Sequence, residues 1–180
     1  MSNITDRLFF ALRPDEATRA GIEALGATLR AEQGLSGTPL KPENFYLTLY
    51  HLGDFARFPQ EIFEKACAAV ASIKAPAFDV VLDQAMSFKR REPKNLPCVL
   101  LAGEPLDGLK ALRAELVAAL KTAGLYRYES FTPHLTLLYD NISVDKHAVA
   151  PLVWPVRELV LVQSLLRKGE QVQLASWPLN

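Results

Sequence analysis

The sequence predicts an α+β fold: two pseudo-symmetric lobes of antiparallel sheet, with helices outside and a central cleft. The first observation behind this prediction is a repeated segment, in which Asn44 opens NFYLTLY and Phe131 opens FTPHLTLL. The second is that a short apolar strand and a helical pattern precede each copy, over residues 7–53 and 98–140. Because the order of elements repeats without a linker between the halves, we expect residues 1–180 to form one domain of two interwoven lobes.

The first half of the chain carries clear start and stop signals. Residues 8–12 are a short apolar run typical of a buried strand. A helix is expected after Pro14, because acidic residues follow in the first turn, and it should end at Gly34. The first motif strand is expected over about residues 45–52, and Pro59 should open a second helix with apolar residues at helical spacing.

The second half repeats this order and adds strands. Phe78, Val80 and Leu82 alternate with Asp79 and Asp83, which predicts a strand with one wet face. A basic turn over 89–95 leads into an apolar strand at 98–102. A third helix is expected over about 106–123, followed by the second motif strand at 134–139. The final strands, 158–166 and 171–176, are joined by a turn at 168–170. His147 lies in a polar stretch and is interpreted as a solvated loop residue.

Each motif strand presents a polar pair on one face. Residues two apart in a strand point the same way, so Tyr46 shares a face with Thr48, and His134 with Thr136. A desolvated polar group without a partner costs about 1–3 kcal/mol, so a fold that buried these pairs would have to satisfy them. We therefore expect the four side chains to converge on one cleft that solvent reaches.

His51 lies near the first motif, but the parity of a regular strand argues against placing it in the cleft. Tyr46, Thr48 and Tyr50 would share one face, and His51 would fall on the other. A β-bulge would reset this parity, but no residue in the sequence demands one. We therefore expect His51 to pack beneath the helices or to lie at the end of the strand.

Composition narrows the classes of partner. Lys and Arg together number 20, as do Asp and Glu, so no global basic field exists to hold long nucleic acid. Cys67 and Cys98 lack the spacing of a metal site or redox motif, so we interpret them as small core residues. Free core cysteines are consistent with a reducing cytoplasm. The sequence has neither a signal-peptide pattern nor an apolar run long enough for a membrane span.

The motif segments resemble the 2H phosphoesterase superfamily, and within it the bacterial RNA 2',3'-cyclic phosphodiesterases, historically called 2'-5' RNA ligases. The likeness extends to RLFFAL from Arg7, PEN from Pro42 and LGD from Leu52. It covers nearly the whole chain in the family's order. Tyr46 departs from the pattern, because the family has its first histidine at this place.

The resemblance implies an enzyme that uses no metal or cofactor and hydrolyses a cyclic phosphate at an RNA or nucleotide end. Two family histidines act as general acid and base, which implies His134 for one role and leaves Tyr46 as a hydrogen-bond donor in the other place. A tyrosine pKa begins at about 10 and a histidine pKa at about 6.5, so Tyr46 is a poor base and reduced activity is expected. Thr48 and Thr136 would hold the phosphate oxygens.

Two further residues are candidates for substrate binding. Tyr139 could stack a base, at a place where family members often carry Arg, and Lys89 belongs to the one obvious basic cluster. The implied partner is an RNA terminus or a cyclic nucleotide, and the implied state is a cytoplasmic monomer. Two alternatives remain: a catalytically impaired phosphate- or nucleotide-binding module of the same fold, and a structural role for His134 and Thr136 as satisfied core groups.

Overall fold

The computed structural model describes residues 3–180, which form one eight-stranded antiparallel sheet and three α-helices. The helices are α1 (Glu16–Gln33), α2 (Gln60–Val70) and α3 (Asp107–Thr122), and a 3-10 turn spans Pro42–Asn44. The strands are β1 (Asp6–Leu12), β2 (Leu47–Phe55), β3 (Phe78–Ser87), β4 (Leu96–Gly103), β5 (His134–Asp140), β6 (His147–Val156), β7 (Glu158–Leu165) and β8 (Glu170–Pro178). The α+β prediction is therefore confirmed.

The two motif strands lie at the centre of the sheet. The strand order is β6-β3-β4-β5-β2-β1-β7-β8, so four strands stand on each side of the boundary between β5 and β2. These two strands pair only at Leu47 and Leu135, and each then follows its own half of the sheet. The predicted adjacency of the motif strands is confirmed, and their divergence opens a cleft between the halves.

The helix signals in the sequence act as predicted. Asp15 precedes α1, and its side chain accepts a hydrogen bond from the Thr18 backbone N–H at 2.7 Å. Gly34 follows the helix with φ 65°, the left-handed conformation that favours glycine at this position. Gly124 has φ 73° just beyond α3, close to the expected end.

Strand β6 is not predicted from the sequence. Pro151 and Pro155 lie within it, and a proline cannot donate a hydrogen bond to a neighbouring strand. An edge strand tolerates prolines, and β6 forms one edge of the sheet. The interpretation of His147 as a solvated loop residue is therefore wrong, because this half-buried side chain begins β6 opposite Ala85.

The main core lies on one face of the sheet and includes residues of both halves. It contains Ile22 of α1, Leu116 of α3 and Phe10 of β1, all of them fully buried. Helix α1 follows β1 in the chain but packs against β6 of the other half, while α3 contacts β2. On the opposite face a small apolar cluster of Phe9, Ala11, Val160 and Val162 packs against Tyr46. Phe9 of this second cluster lines the cleft together with Tyr46.

Candidate active site

A cavity of about 480 Å³ lies where β2 and β5 diverge. Tyr46, Thr48, His134 and Thr136 all line it, so the structure brings the four motif side chains together on a surface that solvent reaches. The other lining residues are Arg7, Phe9, Leu40, Asn44, His51, Tyr139, Ser164 and Gln171. The chemical roles of the four motif residues stay predictions.

The pairing of Leu47 with Leu135 sets how the motif residues face each other. In an antiparallel register through this pair, Tyr46 stands opposite Thr136, and Thr48 stands opposite His134. Side chains directly opposite each other have Cβ atoms about 4.5–5.5 Å apart. The register therefore sets each threonine towards the ring-bearing residue of the other strand, and all four side chains line the same cavity.

His134 is held in one tautomer. Its Nδ1 lies 2.7 Å from the Thr132 carbonyl oxygen, and because a carbonyl only accepts, Nδ1 must carry the proton and donate it. The ring also packs edge-on against Phe88, with centroids 4.7 Å apart and planes at 72°. In the neutral ring the lone pair is therefore on Nε2, which is the nitrogen able to accept a proton.

Tyr46 is a hydrogen-bond donor at neutral pH. Its ring meets Phe9 edge to face, with centroids 5.8 Å apart. Burial raises the pKa of the Tyr46 phenol, because desolvation of the phenolate outweighs the attraction of Arg13 and Arg19. The phenol therefore keeps its proton, and Tyr46 cannot serve as the base of a neutral-pH acid–base pair.

A β-bulge in β2 brings His51 into the cleft, against the parity prediction. The register of β2 against β1 skips one residue between Thr48 and Tyr50, so Leu49 has no partner and the following side chains change face. Tyr50 turns into the core, where it is 1% exposed, and its hydroxyl accepts from the Arg127 N–H at 2.7 Å. His51 instead lines the cavity with Thr48. The expected shared face of Tyr46, Thr48 and Tyr50 is wrong beyond Thr48.

Side chains from distant segments hold the bulge. Beyond Leu47 the strand β2 has no strand neighbour on the β5 side, so its backbone groups need other partners. The Leu49 carbonyl accepts from Arg113 Nε at 3.0 Å, and the His51 N–H donates to Glu129 Oε1 at 3.2 Å. These partners belong to α3 and the loop after it, so no local pattern around His51 could have indicated the bulge.

Strand β5 contains a bulge at the matching place. Its register against β4 skips Leu137, between Thr136 and Leu138. The Leu137 carbonyl accepts from the Leu40 backbone N–H at 2.8 Å, as the Leu49 carbonyl does from a side chain in β2. This bulge directs Tyr139 into the cavity, so the structure places Tyr139 where substrate contact is possible.

The two motif strands therefore contribute the same pair of residue types in reversed order. Tyr46 corresponds to His134 before the bulge, and His51 corresponds to Tyr139 after it, at one constant sequence offset. All four side chains line the same cavity. The cleft thus contains two histidines and two tyrosines in total, although the first motif lacks its histidine.

A series of hydrogen-bonded side chains, Arg7–Asp54–His51, orients His51. Asp54 receives two hydrogen bonds from Arg7, Nε to Oδ1 at 2.7 Å and Nη2 to Oδ2 at 3.0 Å. His51 Nε2 lies 3.0 Å from Asp54 Oδ1, and since a carboxylate only accepts, Nε2 carries a proton. The hydrogen bond from Arg7, with a smaller contribution from His51, lowers the pKa of Asp54 to about 2. Asp54 is therefore ionised at neutral pH.

Gly53 allows the Arg7–Asp54–His51 series of side chains to form. Its φ of 151° favours glycine, and a Cβ there would lie 2.9 Å from the Phe55 ring. A second skip in the β2 register, at Leu52, leaves Asp54 directly across from Arg7 on the neighbouring strand. The Leu-Gly-acid segment of the sequence thus sets the carboxylate beside the cleft.

The structure does not bring Lys89 to the cavity. Lys89 is exposed, while its neighbours on either side approach the site. Phe88 packs against His134, and the Arg90 guanidinium lies over the Tyr139 ring, 5.4 Å from its centroid. The basic segment therefore reaches the cleft through Arg90 rather than through Lys89.

Residues 3–180 offer neither a metal-binding cluster nor a membrane-spanning helix. This part of the chain has no group of three or more His, Cys, Asp or Glu side chains arranged to hold a metal ion. None of its helices is both long and apolar enough to cross a bilayer. Cys98 is buried, and desolvation raises the pKa of its thiol to about 11.

Comparison with known proteins assigns the class. The family model for the 2'-5' RNA ligase superfamily matches residues 7–167. The chain belongs to this superfamily. No curated protein matched the chain.

Solved structures agree with this assignment. A crystal structure described as a phosphoesterase has 26% identity and a TM-score of 0.76, over 97% of this chain and 99% of the other. E. coli LigT complexed with NADP+ has 25% identity and a TM-score of 0.74, over 97% and 98%. E. coli LigT complexed with 3'-AMP has 26% identity and a TM-score of 0.70, over 98% and 99%.

Proposed function

We propose that this protein hydrolyses a 2',3'-cyclic phosphate at the end of an RNA or a nucleotide. The observation that carries the proposal is the cleft itself, where His134 presents a free Nε2 beside two threonine hydroxyls. The similar E. coli LigT structure contains 3'-AMP, a nucleoside monophosphate of the kind that this hydrolysis can release. The site of this chain would bind the same chemical group.

The reaction needs one proton removed and one supplied. Water attacks phosphorus, the bond from phosphorus to one ribose oxygen breaks, and a phosphomonoester results. His134 Nε2 takes the proton of the attacking water. The Thr48, Thr136 and Tyr46 hydroxyls donate hydrogen bonds to the non-bridging oxygens, where negative charge grows, and each bond to a charged group contributes about 1.5–3 kcal/mol.

The substrate is a small one. The formal net charge is zero, so attraction to an anion must come from local groups such as Arg90 beside Tyr139 and Arg13 near Tyr46. Tyr139, with Arg90 over its ring, offers a surface on which a base can stack. An RNA terminus or a free cyclic nucleotide fits these features, and we propose that a cytoplasmic monomer acts on it, without a metal or cofactor.

Turnover of 2',3'-cyclic nucleotides tests the proposal. The parent protein is incubated with 2',3'-cyclic AMP and 2',3'-cyclic CMP. Chromatography then separates the 2'-phosphate product from the 3'-phosphate product. His134→Gln should lower the rate by about 10²–10⁴-fold, because it removes an acid–base group. His147→Gln is the control, since His147 lies in the edge strand β6 and should leave the rate unchanged. Equal rates for His134→Gln and the parent would refute the assignment.

One observation favours a second candidate, a catalytically impaired binding module. Tyr46 holds the place that corresponds to His134, and its raised pKa prevents it from acting as a base. In that case the parent binds inorganic phosphate in calorimetry but releases no product from a cyclic nucleotide. Tyr46→His should then raise the rate, because it adds a group that titrates near neutral pH.

A further inference from the structure

We propose that His51 is the second acid–base group of the cleft and donates the proton to the leaving ribose oxygen. The inference rests on the proposed hydrolysis of a cyclic phosphate. It assigns to His51 the role that the first motif, with Tyr46 in place of a histidine, leaves empty. Tyr46 then acts only as a hydrogen-bond donor to phosphate.

The position of His51 supports this role. The bulge at Leu49 turns its side chain to the same cavity that Thr48 and His134 line. The side chain is 36% exposed, so a substrate in the cleft can reach it. Bulges are frequent next to active sites, where they redirect a side chain. Here the extra residue exchanges a buried tyrosine for a histidine on the cleft face.

His51 is oriented as a catalytic acid–base histidine is, with one ring nitrogen fixed by a hydrogen-bond partner. Nε2–H donates to Asp54, and Arg7 holds Asp54 with two hydrogen bonds, so the ring is fixed by a carboxylate that is itself fixed. Such a partner sets the tautomer and leaves the other nitrogen to exchange protons. Nδ1 of His51 has no hydrogen-bond partner among residues 3–180. His134 shows the reverse arrangement, with Nδ1 held and Nε2 free.

The two histidines complete a balanced step. His134 Nε2 accepts a proton from water as the water oxygen bonds to phosphorus. The bond from phosphorus to the ribose oxygen breaks, and protonated His51 gives its Nδ1 proton to that oxygen. The charged groups around His51 are Asp54 on its own strand, Arg7 on β1, and Glu129 and Arg127 on the loop after α3. Proton exchange with water then restores both rings.

A sulfur-substituted substrate separates this chemical role from a structural one. The cyclic nucleotide is prepared with sulfur replacing the bridging oxygen at which cleavage occurs, because a thiolate leaves without a proton. His51→Gln should slow the oxygen substrate by about 10²–10⁴-fold, the usual effect of losing one acid–base group. The same variant should slow the sulfur substrate by less than tenfold. His134→Gln should slow both, because both need an activated water.

The pH profile supplies the second readout. The parent should show a bell-shaped dependence of rate on pH. His51→Gln should lose the limb on which the rate falls as pH rises, since the acid must be protonated to act. Asp54→Asn tests a positioning residue and should lower kcat with the sulfur substrate again less affected. A His51→Gln variant that slows both substrates equally, or neither, while His134→Gln is inactive, would overturn the inference and leave the proposed function intact. A parent inactive on every cyclic nucleotide would overturn both.

Discussion

The ion pair between Arg7 and Asp54 joins β1 to β2 beside the cleft, and Asp54→Asn tests its contribution to stability. The pKa of Asp54 falls from its ordinary value of 3.8 to about 2, mainly through the hydrogen bond from Arg7. A shift of this size corresponds to at most about 2.4 kcal/mol. The side chains of Arg7 and Asp54 are 45% and 27% exposed, so solvent screening reduces the expected loss to about 1 kcal/mol at pH 7.

The loss should depend on pH in one direction. The folded-state pKa is depressed, so the stabilisation is fully present above the unfolded pKa of about 3.8 and disappears as pH falls towards about 2. The difference in free energy of unfolding between parent and Asp54→Asn should therefore be constant from pH 7 to pH 5. It should shrink at more acid pH, because the protonated carboxyl of Asp54 is then as neutral as the amide that replaces it in the variant.

Urea titrations at pH 7, 5 and 3 measure this difference. Asp79→Asn is the matched control, because Asp79 is also a strand aspartate but is exposed and makes no ion pair or side-chain hydrogen bond in the described chain. The control should change stability by less than about 0.5 kcal/mol at every pH. An Asp54→Asn effect that equals the control, or that stays constant down to pH 3, would refute the reasoning about the ion pair.

Three further substitutions test the bulges and the phosphate site. Tyr50→Phe should cost about 1–3 kcal/mol in urea unfolding, because the part-buried Arg127 N–H loses its acceptor; a loss below about 0.5 kcal/mol would contradict this. Thr136→Ala should weaken 3'-AMP binding by about 1.5–3 kcal/mol in calorimetry, and unchanged affinity would remove Thr136 from the site. Gly37→Ala should lower the melting temperature, because its Cβ would overlap the Tyr139 carbonyl oxygen; an unchanged melting curve would show that the loop adapts freely.

The sequence predicts those parts of the fold that local chemistry controls. The start and end of α1 follow from Asp15 and Gly34, whose capping interactions involve neighbouring residues only. Tyr46 and Thr48, and likewise His134 and Thr136, face one cavity because the two-residue period of a strand holds before the bulges. The duplicated motif then indicates that the two strands meet, as they do at Leu47 and Leu135.

Tertiary contacts decide the remainder of the site. The parity of β2 changes after Thr48 because Arg113 and Glu129, far along the chain, bond to backbone groups that β5 leaves unpaired. Strand β6 forms despite its prolines because it occupies an edge, and the edge position follows from the order of all eight strands. His51 thus enters the cleft through hydrogen bonds with distant residues. A local period cannot carry that information, because a single extra residue reverses the face of every side chain beyond it.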